Sequence, residues 1–239
     1  MRPRALVVAA PGTNRDAEAA FALELAGADA RVVPIEAIAD RIGDAHLLVL
    51  AGGFSYGDAL GSGRLFALEL RHALGERLNE FIAAGRPVLG ICNGFQALVR
   101  TGVLPGALGH NTSGSFECRW VHLVAEPQKC IWTDGIDEPL FVPVAHGEGR
   151  YVATGESRPV LRYATAAGAT AKGEYPANPN GSDHDIAGVC DASGLVLGLM
   201  PHPEDHVLAR QHPRRSRGQT FGNAVRLFTN GVRYAERAL

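Results

Sequence analysis

The sequence has no apolar run that approaches the about 20 residues needed to cross a bilayer as a helix. Its first residues enter an apolar stretch directly, without the long hydrophobic region and cleavage site of a secretory signal. Charge of one sign is not in excess either, because the formal net charge is −2 at pH 7. These absences disfavour a membrane-spanning protein and a protein held to nucleic acid by bulk charge.

Cysteine is scarce, with 4 residues in 239, and no two of them form a CxxC pair. The four are Cys92, Cys118, Cys130 and Cys190. Their scattered positions disfavour both a structural zinc site and a framework of disulfides. We therefore expect a reduced protein of the cytoplasm.

Two ligand-binding motifs are also missing from the sequence. It contains neither the GxxxxGK[ST] loop that cradles phosphates nor the HExxH pattern of zinc enzymes. We therefore expect no nucleotide cofactor and no metal on this chain.

Short apolar strands alternate with helical stretches in the first hundred residues. The predicted strands are 5–10, 31–35, 46–51 and 87–91, and helices follow each of them. This order predicts an α/β fold with right-handed crossovers and a mostly parallel central sheet that has helices on both faces. A length of 239 residues, 46% of them hydrophobic, suits a single domain over residues 1–239.

The alternation stops after Gly102. The extended pieces that follow are punctuated by Gly and Pro, and they lie at 115–124, 129–132, 142–146, 150–153 and 160–163. A predicted hairpin at 186–190 and 195–200 and a final helix at about 221–237 close the chain. We expect this part to be an antiparallel elaboration of the same sheet.

The helical stretches predict which side chains face the core. We expect Thr13 or Asn14 to cap the first helix. The residues expected to point inward are Phe21, Leu23 and Leu25 on that helix, Leu65, Leu68, Leu74, Leu78 and Phe81 on one helix reaching about residue 84, and Phe221, Val225, Phe228 and Val232 on the last.

A buried strand changes into a helix at Cys92. Gly90 and Gly94 stand two positions before and after it, where a sharp strand-to-helix turn leaves no room for side chains. Such a turn pushes the thiol out of the sheet edge and aims the first helix amides at it, which stabilises a thiolate and an oxyanion. The pattern predicts a nucleophile elbow, and a buried structural cysteine is the alternative.

The glycine pair Gly52-Gly53 ends the predicted strand 46–51. Functional groups collect at the carboxyl ends of parallel strands, so this pair is a candidate second arm of an oxyanion hole. An ordinary turn is the alternative. The Gly-rich loop 54–64 that follows is either a mobile lid or a long surface loop.

A second reactive segment, MPHPE at 200–204, follows the last predicted strand. His202 lies between two prolines, which fix their own φ angles and make the segment stiff. Glu204 is placed to orient the imidazole and to stabilise its cation, as the third member of a catalytic triad. The alternatives are an exposed strand exit with a helix-capping Glu204, and a metal site formed by His202, Glu204 and His206. The basic run 214–217 is by default a solvated loop.

Six stretches together carry a family resemblance: GGFSYGD at 52–58, CNGFQ at 92–96, residues 111–120, HGEGR at 146–150, YPANPNGS at 175–182 and MPHPE at 200–204. With these residues the chain resembles the triad, or class I, glutamine amidotransferases. Among them it is most similar to the branch of glutaminase subunits of phosphoribosylformylglycinamidine synthases. The resemblance runs from the first strand to the last helix and implies a flavodoxin-like α/β fold. Ala51 departs from it, because the family often has proline there.

The resemblance implies a role for each matching residue. Cys92 would attack the side-chain amide of L-glutamine, and His202, held by Glu204, would carry the proton to the leaving ammonia. The N–H groups of Gly53 and Asn93 would stabilise the oxyanion. The other residues implied in binding glutamine are Gly52, Gln96, Asn111 and Phe116.

The resemblance also implies a division of labour between chains. Ammonia would pass to a separate synthetase subunit, which would bind ATP, Mg²⁺ and formylglycinamide ribonucleotide in purine biosynthesis, with a small accessory subunit beside it. Two other classes stay open: a stand-alone cysteine hydrolase or peptidase with the same elbow, and a non-catalytic interaction subunit. Comparing the turnover of glutamine with that of peptides and esters tests for a hydrolase or peptidase. Labelling of the thiol by a glutamine analogue tests for a non-catalytic subunit.

Overall fold

The computed structural model describes residues 1–219 and 223–237. Its strands are β1 (Arg4–Ala9), β2 (Asp29–Pro34), β3 (Leu47–Leu50), β4 (Val88–Ile91), β5 (Ala107–Gly109), β6 (Glu117–Ala125), β7 (Leu140–His146), β8 (Arg150–Val152), β9 (Pro159–Ala164), β10 (Ile186–Cys190) and β11 (Val196–Leu199). Its α-helices are α1 (Asp16–Leu25), α2 (Ile38–Arg41), α3 (Arg64–Leu74), α4 (Arg77–Ala83), α5 (Asn93–Arg100) and α6 (Val225–Arg237).

Nine strands form one sheet in the order β2-β1-β3-β4-β11-β10-β9-β6-β7. The half from β2 to β11 is parallel, and the half from β11 to β7 is antiparallel. Helices pack in two groups, α1 with α6 and α3 with α5. The predicted α/β fold with a parallel core, helices on both faces and an antiparallel elaboration is therefore confirmed.

The central strands are buried on both faces. Every residue of β3 and of β4 is buried. Parallel strands covered by helices on both sides show continuous apolar runs rather than alternation. This is the pattern by which the sequence predicts both strands.

The topology brings three strand ends together. β3, β4 and β11 are parallel neighbours, with Ile91 opposite Leu199 in register. Their carboxyl ends therefore share one edge of the sheet, where α/β proteins form their sites. Gly52 follows β3, Cys92 follows β4 and His202 follows β11 at this edge.

The first helix differs from its prediction in two ways. No side chain caps α1, so the predicted cap at Thr13 or Asn14 is wrong. Phe21 and Leu25, expected in the core, are 41% and 45% exposed, whereas Leu23 is fully buried. Residues two positions apart lie on different faces of a helix, so the three could not all face inward.

The single helix expected to reach about residue 84 is two helices. Gly75, with a φ of 50°, ends α3, and α4 begins two residues later. Leu68 is 63% exposed, although it was expected to point inward. The buried stripe of α3 instead contains Phe66 and Leu70, which stand one helical turn apart.

Residues 129–132 form no strand, contrary to expectation. This segment hydrogen-bonds to a hairpin turn instead of pairing with a neighbouring strand. The indole N–H of Trp132 donates to the carbonyl of Leu195 at 2.8 Å. Phe221, expected on the last helix, lies outside the described residues, and α6 begins at Val225. No helix in the described part of the chain is long and apolar enough to cross a membrane.

Candidate active site

Cys92 occupies the turn between β4 and α5. Its φ of 49° lies in a region that residues other than glycine rarely adopt. A Cβ at Gly94 would lie 2.1 Å from the carbonyl oxygen of Leu50, and one at Gly90 would lie 2.9 Å from that of Gly94. Since no side chain fits at either position, the two glycines permit the turn. The geometry is that of a nucleophile elbow.

His202 and Glu204 lie beside the elbow, on the segment that leaves β11. Nδ1 of His202 is 2.7 Å from Oε1 of Glu204, and Cys92 lies close enough to the imidazole to raise its pKa. The backbone N–H of His202 donates to the carbonyl of Pro143 at 2.8 Å, which fixes the segment against β7. Cys92, His202 and Glu204 are 4%, 3% and 1% exposed. The structure thus brings the three predicted triad residues together.

The charge on the buried imidazole depends on its neighbours. Burial lowers the pKa of His202, but Glu204 and Cys92 outweigh burial, so the pKa is raised well above its usual value. Burial raises the pKa of Glu204, and the imidazolium beside it opposes that rise. The imidazole therefore carries a proton that it can give to a leaving group.

The glycine pair after β3 lies against the reacting groups. A Cβ at Gly52 would lie 2.7 Å from Cε1 of His202 and 3.4 Å from Cβ of Cys92. Gly53 has a φ of 146°, and a Cβ there would lie 2.7 Å from the backbone nitrogen of Asn14. The absence of side chains therefore lets the backbone approach the triad, where the sequence predicts an oxyanion donor.

Asn93 connects the elbow to the Gly-rich loop. Its amide belongs to the first turn of α5, whose N–H groups have no partner within the helix. Its side chain accepts from the N–H of Ser55 at 3.2 Å and donates to Asp58 at 3.2 Å and to Gln96 at 2.9 Å. The position of this predicted oxyanion donor therefore depends on the turn that carries Ser55 and Asp58.

Gln96 and Glu148 join the Gly-rich loop to the HGEG loop. Nε2 of Gln96 donates to the carbonyl of Glu148 at 2.7 Å, and Oε1 of Glu148 accepts from the N–H of Ser62 at 3.2 Å. Gly63 packs on Gln96, since a Cβ there would lie 2.5 Å from the Cβ of Gln96. The contact of Gln96 with glutamine stays a prediction.

Asn111 and Phe116 lie on either side of the HGEG loop. The buried Asn111 donates to the carbonyl of His146 at 2.8 Å and accepts from the N–H of Gly149 at 3.0 Å. Phe116 is 52% exposed, and its ring centroid is 5.9 Å from that of Phe54. Asn111 therefore supports the loop from behind and Phe116 lies at its rim. A role for either in binding glutamine stays a prediction.

His146 is a buried histidine whose surroundings sequence reasoning did not identify. Nδ1 is 3.2 Å from Oδ1 of Asn111, and Nε2 is 3.5 Å from Nδ2 of Asn180, which also donates to the hydroxyl of Tyr163 at 3.0 Å. Burial and the nearby His202 lower the pKa of His146 to about 3, so its imidazole is neutral. No motif spacing indicates this network, because its members are far apart in the sequence.

An ion pair between Arg15 and Asp205 also escaped the sequence analysis. Nε of Arg15 is 3.1 Å from Oδ2 of Asp205, while the backbone N–H of Arg15 donates to the carbonyl of Gly52 at 3.3 Å. Arg15 thus connects the glycine pair to the residue that follows Glu204. The local sequence showed only an acidic residue, Asp205, next to Glu204, and its partner Arg15 is 190 positions away.

A hydrogen bond already occupies Nδ1 of each histidine in the alternative metal site. Ligand atoms of His202, Glu204 and Asp205 lie within 4.8 Å of one another, whereas Nδ1 of His206 donates to the carbonyl of Phe141. Nδ1 of His202 is already bonded to Glu204. A metal at that nitrogen would break the bond that orients the imidazole toward Cys92. The geometry therefore favours acid–base chemistry.

Comparisons with known proteins identify the family of the chain. The model of the CobB/CobQ-like glutamine amidotransferase domain matches residues 2–235. A Dehalococcoides mccartyi protein named phosphoribosylformylglycinamidine synthase subunit PurQ is 43% identical, over 98% of this chain and 98% of that protein. A Treponema denticola protein of the same name is 41% identical, over 98% and 99%.

Solved structures give the same result. PurLQS from Thermotoga maritima contains a chain that aligns with a TM-score of 0.80 at 37% identity, covering 97% of this chain and 98% of that one. A glutamine amidotransferase from Thermotoga maritima aligns with a TM-score of 0.57 at 16% identity, covering 91% of this chain and 82% of that one, which shows a shared fold.

The sheet, the cysteine elbow and the family match together define a glutamine amidotransferase. More narrowly, the chain belongs to the PurQ family of phosphoribosylformylglycinamidine synthase subunits, and the two members named above are more than 40% identical to it over nearly its full length. The family resemblance stated from the motifs is therefore confirmed.

Proposed function

We propose that this chain is the glutaminase subunit of a phosphoribosylformylglycinamidine synthase, acting as one glutamine amidotransferase domain over residues 1–239. It hydrolyses L-glutamine to glutamate and ammonia. The observation that carries the proposal is the convergence of Cys92, His202 and Glu204 at the ends of two neighbouring parallel strands.

In the first half of the reaction, the thiolate of Cys92 attacks the side-chain carbonyl carbon of glutamine. A C–S bond forms and the carbonyl electrons move to oxygen, giving a tetrahedral oxyanion. The raised pKa of His202 keeps a proton available on the imidazole, which protonates the amide nitrogen as the C–N bond breaks. Ammonia leaves and a γ-glutamyl thioester remains on Cys92.

In the second half, His202 takes a proton from water, which attacks the thioester carbonyl. The C–S bond breaks, glutamate leaves and the thiolate of Cys92 is restored. Glu204, 2.7 Å from Nδ1 of His202, holds the ring orientation through both halves and stabilises the imidazolium.

Two backbone amides are proposed to stabilise the oxyanion. Asn93 supplies one from the first turn of α5, and Gly53 supplies the other from the loop after β3. Such preorganised donors act strongly in a site that excludes water, and losing one costs about 10²–10³-fold in rate in enzymes of this kind. The residues proposed to contact the substrate itself are Gly52, Gln96, Asn111 and Phe116.

The product determines what kind of partner the chain needs. Ammonia released into water at neutral pH is mostly ammonium, which is not a nucleophile. We therefore propose direct delivery to a synthetase subunit that uses ATP and Mg²⁺ to convert formylglycinamide ribonucleotide to formylglycinamidine ribonucleotide, with a small accessory subunit, as PurLQS suggests. No cofactor is proposed on this chain. Its four free thiols favour the cytoplasm as its compartment.

The test compares glutamine hydrolysis by the chain alone with hydrolysis by the chain plus synthetase, its ligands and the accessory subunit. We expect low turnover alone and a large increase in the assembly. The reason is that Asn93 is bonded to the turn at Ser55 and Asp58, so a partner that moves this turn moves an oxyanion donor. Equal turnover per site in both samples would favour a free-standing amidase, and turnover of peptides but not glutamine would favour a peptidase.

A further inference from the structure

A second pair of cysteines lies outside the active site. Cys130 and Cys190 are 4% and 1% exposed, and their Sγ atoms are 3.0 Å apart. A disulfide bond is about 2.05 Å long, so the two sulfurs are about 1 Å from bonding distance. Cys92 belongs to the triad and Cys118 is exposed on β6. Neither takes part in this contact.

The fold holds the two cysteines against each other. Cys190 is the last residue of β10, and Cys130 belongs to the segment that packs on the hairpin turn after it. The indole N–H of Trp132 donates to the carbonyl of Leu195 at 2.8 Å, and the side chain of Asn230 on α6 donates to the carbonyl of Trp132 at 3.0 Å. The contact therefore does not depend on a free loop.

The two thiols are chemically unequal. The thiol of Cys190 donates to the sulfur of Cys130, and this bond lowers the pKa of Cys130, with further help from donors of Trp132 and Thr133 and against the effect of burial. The same bond and burial raise the pKa of Cys190. Cys130 is thus the nucleophile of the pair, and Cys190 carries a proton that it can release to a leaving group.

A cavity reaches one of the two cysteines. Cys130 lies on the wall of a cavity of about 450 Å³ between α6 and residues 128–135. The basic residues that line the cavity are Lys129, Arg226, Arg233 and Arg237.

We propose that Cys130 and Cys190 are a redox-active site that forms a reversible intramolecular disulfide when hydrogen peroxide, a small two-electron oxidant, enters the cavity. The thiolate of Cys130 attacks one peroxide oxygen and the O–O bond breaks, giving a sulfenic acid and, after protonation, water. The sulfur of Cys190 then attacks the sulfur of Cys130. The S–S bond forms, the S–O bond breaks, and hydroxide leaves with the proton of Cys190 as a second water.

The bond would join two parts of the chain that are 60 positions apart. Closing a loop of that length restricts the unfolded chain, so we expect the thermal unfolding midpoint to rise by roughly 10 °C on oxidation. A reducing thiol such as dithiothreitol should reverse the rise.

The test uses the full chain with Cys92→Ser, which removes the other reactive thiol. The protein is treated with hydrogen peroxide, the remaining thiols are alkylated, and disulfide-linked peptides are mapped by mass spectrometry. We expect a peptide joining Cys130 to Cys190 and the rise in unfolding midpoint. Further substitution Cys130→Ser should abolish the rise, whereas the matched control Cys118→Ser should keep it.

The proposal is overturned if both Cys130 and Cys190 remain open to alkylation after peroxide treatment. It is equally overturned if Cys130 proceeds to sulfinic acid with no linked peptide, or if the rise persists in the Cys130→Ser chain. Because peptide mapping needs only Cys92→Ser, poor folding of the Cys130 variant would not remove the test.

Discussion

Substitution of Gly52 by alanine perturbs the proposed triad without replacing any of its side chains. The new Cβ would lie 2.7 Å from Cε1 of His202 and 3.4 Å from Cβ of Cys92. His202 has little freedom to retreat, since Glu204 holds Nδ1 at 2.7 Å and Pro143 holds its backbone N–H at 2.8 Å. The ring therefore moves only by weakening one of these bonds.

The size of the effect follows from the overlap. Two carbon atoms in ordinary contact are at least about 3.5 Å apart, so the ring of His202 must shift by about 0.8 Å. A displacement near 1 Å of a reacting group costs on the order of 100-fold in rate. Overpacking of a buried position also costs about 1–3 kcal/mol in stability. Gly52→Ala should therefore fold and hydrolyse glutamine about 100-fold more slowly.

The assay measures kcat/KM for glutamine in the assembled enzyme, with ammonia-dependent turnover as the internal control. Gly43→Ala is the matched variant, because a Cβ at Gly43 would meet no atom within 4 Å. It should keep full glutamine-dependent activity. A folded Gly52→Ala enzyme within twofold of the unsubstituted one would refute the close contact between Gly52 and the triad.

Three further predictions concern single side chains. Cys92→Ala should abolish glutamine-dependent turnover and leave ammonia-dependent turnover of the assembly intact; loss of both in a folded complex would contradict the division of labour. His202→Ala should lower kcat nearly as much as loss of Cys92, because the members of a triad act as a unit. Glu204→Gln should lower kcat less, since the side-chain amide oxygen still accepts the ring N–H. A Glu204→Gln enzyme with full kcat would remove Glu204 from the proposed triad. The pKa of His146 is about 3 in the folded chain, against 6.5 for an unperturbed histidine. Below pH 6.5 the unfolded chain therefore binds a proton at His146 that the folded chain does not bind, so the free energy of unfolding falls as the pH drops. Urea unfolding should show about 1.6 kcal/mol of this loss between pH 6.5 and 5, and an equal loss in His146→Gln would assign it to other groups.

The elbow could be predicted because its sequence signature is local. Gly90, Cys92 and Gly94 span five positions, although the atom that leaves no room for a side chain at Gly94 is the carbonyl oxygen of Leu50 on β3. The proposed triad partners His202 and Glu204 could be singled out from the sequence because two prolines and one acid stand beside one histidine at the end of a strand.

Contacts that form only in the folded protein could not be predicted from the sequence. The bond from Asn93 to Asp58 and the network of Asn111, His146 and Asn180 join residues on different elements. A sequence pattern shows which face of one element is apolar. It does not show which side chain from a remote element forms a hydrogen bond with a given polar group. The same limit explains why strand propensity at 129–132 was overridden by bonds to the hairpin turn.

Covalent labelling tests most directly whether Cys92 is the nucleophile that attacks glutamine. The assembled enzyme is treated with a glutamine analogue that carries an electrophilic carbon at the position of the side-chain amide, and modified peptides are mapped by mass spectrometry. We predict one adduct per chain on Cys92, slowed by added L-glutamine, with Cys118, the exposed cysteine, unmodified while glutamine-dependent turnover disappears. Inactivation with the label on Cys118 and a free thiol at Cys92 would contradict the proposed mechanism.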